Sequence, residues 1–209
     1  KLPVPDQKEP VKSYEELKKE LDSDKAKVRS QAALKVLQGR YEQGQDKLLE
    51  LLRNDTDDSV RTTAALALAS FQDKRAAPEI AQLLQEENSP SPNMLIDALG
   101  QFGEAKYAKA VVPYLNSERE ILRLKAVEAL ERMQARNVAD EVLAQARKNE
   151  DEDKARTYAM ALGKLNYEPA ESYLLNLAKK SQPGGTLAAA YLALGRIDSE
   201  KAVPLLVDA

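Results

Sequence analysis

Asp58-Ser59-Val60-Arg61-Thr62-Thr63-Ala64-Ala65-Leu66-Ala67-Leu68-Ala69 decides the fold, because its apolar stripe has helical spacing and its ending recurs along the chain. Val60, Ala64 and Leu68 are each four residues apart, which places them on one face of an α-helix. The last position lines up as Leu37, Ala69, Gly100, Glu131, Gly163 and Gly195, at steps of 32, 31, 31, 32 and 32 residues. The position before it is always aliphatic: Val36, Leu68, Leu99, Leu130, Leu162 and Leu194. Four residues earlier stand Ala32, Ala64, Leu95, Ala126, Tyr158 and Ala190, mostly small. A separate row, Leu48, Ile80, Val111, Val142, Leu174 and Leu206, keeps the same steps. Two rows in lockstep identify a tandem repeat.

Each unit reads as two helices joined by a short polar turn, such as Asn54-Asp55-Thr56-Asp57-Asp58 or Asn116-Ser117-Glu118-Arg119. Asp, Asn and Ser in these turns offer side-chain oxygens to the unpaired amides that open the next helix. Ser13 and Glu16 have capping-box spacing, and Pro78 and Pro204 fall near helix starts, where a missing amide costs little. One such unit cannot bury both of its stripes, so stability must come from stacking. The expected fold is all-α: a right-handed α-solenoid of six two-helix repeats, each 31–32 residues, with a truncated seventh. Residues 1–12, rich in proline, read as an extended lead-in or linker, and 13–209 as the repeat domain. The chain starts at Lys1 and stops inside a predicted helix, so it is expected to be a piece of a longer protein whose repeats continue beyond the C-terminus.

Composition narrows the chemistry. With no Cys and no His, disulfides, thiol catalysis, imidazole-based triads and Cys/His zinc sites are excluded. A net charge of −3 gives no general attraction to nucleic acid. No stretch approaches the ~20 apolar residues of a membrane helix, so no direct membrane insertion is expected from this segment. The lack of Cys leans toward an exported or periplasmic fragment of a longer protein, without excluding a cytoplasmic one.

The fragment 58–69 and Lys201-Ala202-Val203-Pro204-Leu205-Leu206 resemble the two halves of the short HEAT-like repeat, the class also called the phycobilisome-lyase type. The resemblance covers about 14–209. It implies that first helices line a convex side and second helices a concave side. It also implies an arginine early in each second helix, present at Arg29, Arg61 and Arg123 but replaced by Pro92, Ala155 and Leu187, where a ladder of Arg-to-Asp links should break. Ser89-Pro90-Ser91-Pro92 and Pro183-Gly184-Gly185 depart most from the pattern. The fold hosts many roles, so function does not follow from it.

The carboxylate run Glu150-Asp151-Glu152-Asp153 lacks the ligand spacing of a calcium loop and reads as a solvated turn that favours the next helix's positive end. Phe71 and Phe102 occupy matching positions expected to be core, which argues against a base-excising glycosylase. No cofactor is called for. The second helices carry an outward stripe in three rows. These are Ser30, Thr62, Asn93, Leu124, Arg156 and Ala188; then Leu34, Leu66, Asp97, Glu128, Met160 and Leu192; then Gln38, Ser70, Gln101, Arg132, Lys164 and Arg196. The last row turns basic in the final three units, so Arg132, Lys164 and Arg196 should form a short positive ladder with ~10 Å between helices. Arg156, Met160, Leu192, Leu124 and Glu128 flank it. The expected function is a non-catalytic scaffold that binds a protein or peptide segment, acidic or amphipathic, in this groove. The alternatives are a lyase-like or cofactor-handling subunit related to bilin lyases, and a pure structural spacer.

Overall fold

A computed structural model of the chain describes residues 12–86 and 88–207, with the side chains of 206 and 207 excepted. The lead-in expected over 1–12 therefore lies outside the described residues, apart from Lys12. Among the described residues all regular structure is helical, and no helix is long and apolar enough to cross a membrane. The chain divides into two compact units, Lys1–Ala76 and Ala77–Ala209.

The first unit holds α1 (Tyr14–Leu21), α2 (Ala26–Gln38), α3 (Gln45–Asn54) and α4 (Asp58–Ser70). Ser13 and Glu16 form the expected capping box on α1, and Asp57 caps α4 by accepting from the Ser59 and Val60 amides at 2.9 and 3.3 Å. The helices pair α1 with α2, α3 with α4, and α2 with α4. Arg29 on α2 forks onto Asp55 at the end of α3, at 2.6 and 2.7 Å, and donates to the Ser23 carbonyl at 2.8 Å. Burial pushes the Asp55 carboxyl up, but the Arg29 guanidinium and the Asp57 amide outweigh it and hold it below its ordinary value.

The second unit holds α5 (Ala77–Gln85), α6 (Pro92–Phe102), α7 (Glu120–Arg132), α8 (Ala139–Lys148), α9 (Glu152–Lys164), α10 (Glu171–Lys180), α11 (Gly185–Arg196) and α12 (Val203–Val207). The first helix of the fourth repeat differs from expectation: it is two 3-10 segments, Ala105–Ala110 and Val112–Asn116. Pro113 is the reason, since it has no amide to donate and its ring crowds the carbonyl four residues back. The turn before α7 also departs. Its N-cap is Arg119, without a side-chain cap, and Ser117 instead accepts from the Arg119 amide at 3.2 Å. Arg123 finds no Asp partner: Asn149 occupies the place that Asp55 holds for Arg29. Its guanidinium is buried against the Ser117 and Glu118 carbonyls, at 2.9 and 3.2 Å, and Thr157 Oγ1 at 3.3 Å. The Arg-to-Asp link is thus also lost at Arg123, where the arginine itself is kept.

The repeat rows form the core. Val36, Leu68, Leu99, Leu130, Leu162 and Leu194 are buried, as are Ala32, Ala64, Leu95, Ala126, Tyr158 and Ala190. Leu48, Ile80, Val111, Val142 and Leu174 are buried likewise, while the Leu206 side chain is among those not described. Phe102 is buried but Phe71 is half-buried at the end of α4. Successive second helices approach through small residues. A Cβ added at Gly100 would stand 3.1 Å from the Cα of Ala129 on α7, and one at Gly163 would stand 2.7 Å from the Cα of Ala193 on α11.

One turn geometry recurs in every connection from a second helix to the next first helix. Arg40, Gln72, Gly103, Gln134, Asn166 and Asp198 all have positive φ, and their spacing repeats the 32, 31, 31, 32, 32 pattern. In five of the six, the next amide closes the helix end: Tyr41 onto the Val36 carbonyl, Asp73 onto Leu68, Ala135 onto Leu130, Tyr167 onto Leu162 and Ser199 onto Leu194. This satisfies otherwise orphaned carbonyls in the manner of a left-handed helix C-cap.

Two stability changes follow. Gly163→Ala is expected to cost about 1–3 kcal/mol, because the new methyl meets backbone rather than a movable side chain; an unchanged denaturation midpoint would show that α9 and α11 are not in this close register. Gln134→Gly removes the left-handed penalty and should add roughly 0.5–1 kcal/mol, read as a higher urea midpoint at constant slope.

Candidate protein-binding face

The exposed side of α7, α9 and α11 carries the candidate residues. Gly163 against Ala193 packs α9 closely on α11, and α7 lies against α9, so equivalent positions form rows across the three helices. Arg132, Lys164 and Arg196 occupy one row as expected, with the Arg132 and Arg196 side chains half exposed and Lys164 less so. Leu192 is 70% exposed, the most open large apolar residue among those described. Met160 and Leu124 are half-buried, and Glu128 is exposed. Thr62, in the first outward row, is buried and so does not belong to an open face.

The cations are not left as a bare ladder. Glu131 on α7 reaches both later helices, pairing Lys164 through one carboxylate oxygen and Arg196 Nη1 through the other at 3.3 Å. Arg132 lies 4.0 Å from both Glu128 and Asp97, and Lys125 holds Asp97 at 2.8 Å. Arg156 pairs with Glu120 at 2.5 Å and approaches Asp153 at 3.8 Å. The face is therefore a mosaic of both signs around Leu192. Reasoning from rows missed Glu131, yet a signal existed: it is the one charged residue in a position otherwise held by Leu, Ala or Gly.

Burial raises the Glu131 carboxyl, but Lys164 and then Arg196 more than reverse this, and the group lies below its ordinary value of 4.5. A lowered folded value means that the clamp's contribution is complete above pH 4.5 and disappears as pH falls through the folded value. The Glu131 side-chain carbon should accordingly titrate below 4.5 by NMR, and Lys164→Ser should move that midpoint upward; a midpoint at or above 4.5 in the wild type would contradict the clamp.

A second polar surface escaped the sequence reading. A cleft of about 640 Å³ lies between α8 and α10, lined by Arg147, Asn149, Glu152, Tyr173, Asn176 and Lys180 among others. Burial, with Tyr158 adding to it, pushes the Tyr173 hydroxyl up to about 12, and that hydroxyl has no hydrogen-bond partner among the described residues. The acidic run at 150–153 behaves as a turn: Asp151 caps α9 by accepting from the Lys154 amide at 2.9 Å. Among the described residues no three carboxylates converge as a metal ion would require.

The sequence pattern of HEAT repeats matches residues 14–91 and 139–209. No curated protein matches the chain in sequence. Among solved structures, two engineered proteins from the Northeast Structural Genomics Consortium are similar. One superimposes with a TM-score of 0.62 at 21% identity, covering 88% of this chain and 96% of the other. The second gives 0.64 at 21%, covering 90% and 99%. The complex of CpcE and CpcF of phycocyanin lyase from Nostoc sp. PCC7120 gives 0.54 at 16%, covering 97% of this chain and 96% of that chain. At these identities the likeness is one of fold, and it makes the fold class an α-solenoid.

Proposed function

This chain belongs to the HEAT-repeat family, and from that premise we propose that it is a non-catalytic scaffold whose α7, α9 and α11 face binds a protein segment. The observation that carries the reading is Leu192, 70% exposed on α11 and one helical turn from half-exposed Arg196, which Glu131 ties to α7. An apolar centre inside a charged rim is the ordinary anatomy of a protein contact. An acidic, amphipathic segment suits it: its apolar side covers Leu192 and Met160 while its carboxylates compete with Glu131 and Glu128 for Arg196 and Arg132. Because those cations already have partners, such an exchange supports orientation and specificity more than raw affinity.

The test is capture from lysate of the source organism with wild type, Leu192→Asp, and a variant carrying Arg132→Ser, Lys164→Ser and Arg196→Ser. Helical content should be unchanged in both variants, since none of the four side chains is buried. A polypeptide retained by wild type should be lost with Leu192→Asp and weakened at least tenfold in the triple variant, about 1.4 kcal/mol. Equal retention by all three would remove the interface from this face. Recovery of a chromophore in place of a polypeptide would favour a cofactor-handling subunit.

A further inference from the structure

The arginine that the repeat carries early in its second helix reaches back into the turn before that helix. Arg29 donates to the Ser23 carbonyl at 2.8 Å and forks onto Asp55 in the following turn. Arg123, 5% exposed, donates to the carbonyls of Ser117 and Glu118 at 2.9 and 3.2 Å. Ser23, Asp55, Ser117, Asn149 and Ser181 occupy one row of the repeat, each fourteen residues before its anchor at Leu37, Ala69, Glu131, Gly163 or Gly195.

In the fifth repeat Ala155 takes the arginine's place and shrinks it to a methyl group, whereas Pro92 and Leu187, the other two replacements, keep larger side chains. The cleft of about 640 Å³ opens at this point, and Asn149, Glu150, Ala155 and Ser181 all line it. Asn149 and Glu150 match Ser117 and Glu118, whose carbonyls hold Arg123, and Ser181 matches Asp55, whose carboxylate holds Arg29. Among the described residues nothing donates to the Asn149 or Glu150 carbonyl. The Glu150 and Glu152 carboxylates also line the cleft and form no ion pair among the described residues, unlike Asp97, Glu120 and Glu131 on the second-helix face. The cleft thus keeps the acceptors of the repeat arginine and adds two carboxylates, while the chain itself supplies no guanidinium to them.

We propose that this cleft binds an alkylguanidinium, the end group of arginine, supplied by a ligand where other repeats supply their own. Five N–H donors in a planar fork suit carbonyls and carboxylates set side by side. Tyr173 and Leu177 on α10 line the same cleft and give a methylene stem an apolar surface. Arg147 and Lys180 also line it, exposed in the last turns of α8 and α10 and without an ion pair among the described residues. Their charge opposes a bare cation and favours a guanidinium accompanied by a carboxylate. The site lies among the first-helix turns and is independent of the α7, α9 and α11 face.

The test follows the backbone amide resonances of the 209-residue chain during titration with three probes. These are L-arginine, N-acetyl-L-arginine methylamide, and L-citrulline, whose urea has the shape of a guanidinium without its charge. Arginine should shift the amides around Asn149, Glu150 and Ser181 and saturate. Citrulline should bind at least about tenfold more weakly, because the charge-assisted contacts are lost. Binding of free arginine alone assigns Arg147 and Lys180 to its carboxylate; comparable binding of the capped probe assigns the site to an arginine side chain of a polypeptide. Ala155→Arg, which restores the repeat residue, should abolish the response with helical content kept. Should that variant fail to fold, Glu150→Gln combined with Glu152→Gln takes its place and should weaken arginine binding at least about fivefold. The proposal is overturned if neither arginine probe shifts these resonances, if citrulline binds as well as arginine, or if affinity is unchanged in either folded variant.

Discussion

Everything in the second unit rests on how closely one second helix can approach the next. Gly163 lets α9 come within reach of the α11 backbone at Ala193, and Gly100 does the same for α6 and α7. Helices packed this tightly bring the aliphatic row Leu99, Leu130, Leu162 and Leu194 into one continuous buried layer. Dispersion falls away within an ångström of misfit, so a stack of this kind holds its register or loses its core. That is why the variable residues of the array lie on the solvent side of the second helices and the invariant character lies between them.

The connections add a second constraint, imposed through the backbone. A left-handed residue three positions beyond each anchor reverses the chain at the same point in all six connections, and only at Gly103 is that residue a glycine. Asn166 and Asp198 bear the conformation more easily than Arg40, Gln72 or Gln134, because short polar side chains can bond their own backbone. The conformation persists at the less suited positions because the stacked helices on either side determine it. Local preference yields here to tertiary packing, and the cost of about 1 kcal/mol at each such site is small beside the burial that the turn permits.

The helix pairs and the core were legible in the sequence because aliphatic rows at fixed steps admit no other register. What was not legible came from single residues acting against the repeat. Pro113 turns one first helix into two 3-10 segments although Val111 still reaches the core, so the apolar row alone gave no sign of the change. Asn149 removes the carboxylate that Arg123 would need, and the arginine, still buried, is satisfied by two backbone carbonyls and a threonine. The left-handed row also escaped notice, since its members share a backbone conformation and no side-chain chemistry.

The candidate face shows why reading rows one at a time misjudges charge. Arg132, Lys164 and Arg196 look like an unopposed ladder when only their own positions are aligned. Glu131 belongs to a different row, the buried small-residue row, and its length carries its carboxylate out of that row to two helices at once. A glutamate there cannot serve the close approach that glycine serves at 100 and 163, and α7 and α9 accordingly share less contact than α9 and α11. The fourth repeat thus exchanges part of its packing for a charged clamp that spans three second helices. Such a clamp is half exposed and screened by solvent, so it adds little to stability. Its consequence is positional: one carboxylate from α7 holds Lys164 of α9 and Arg196 of α11 together on the exposed side of the second helices.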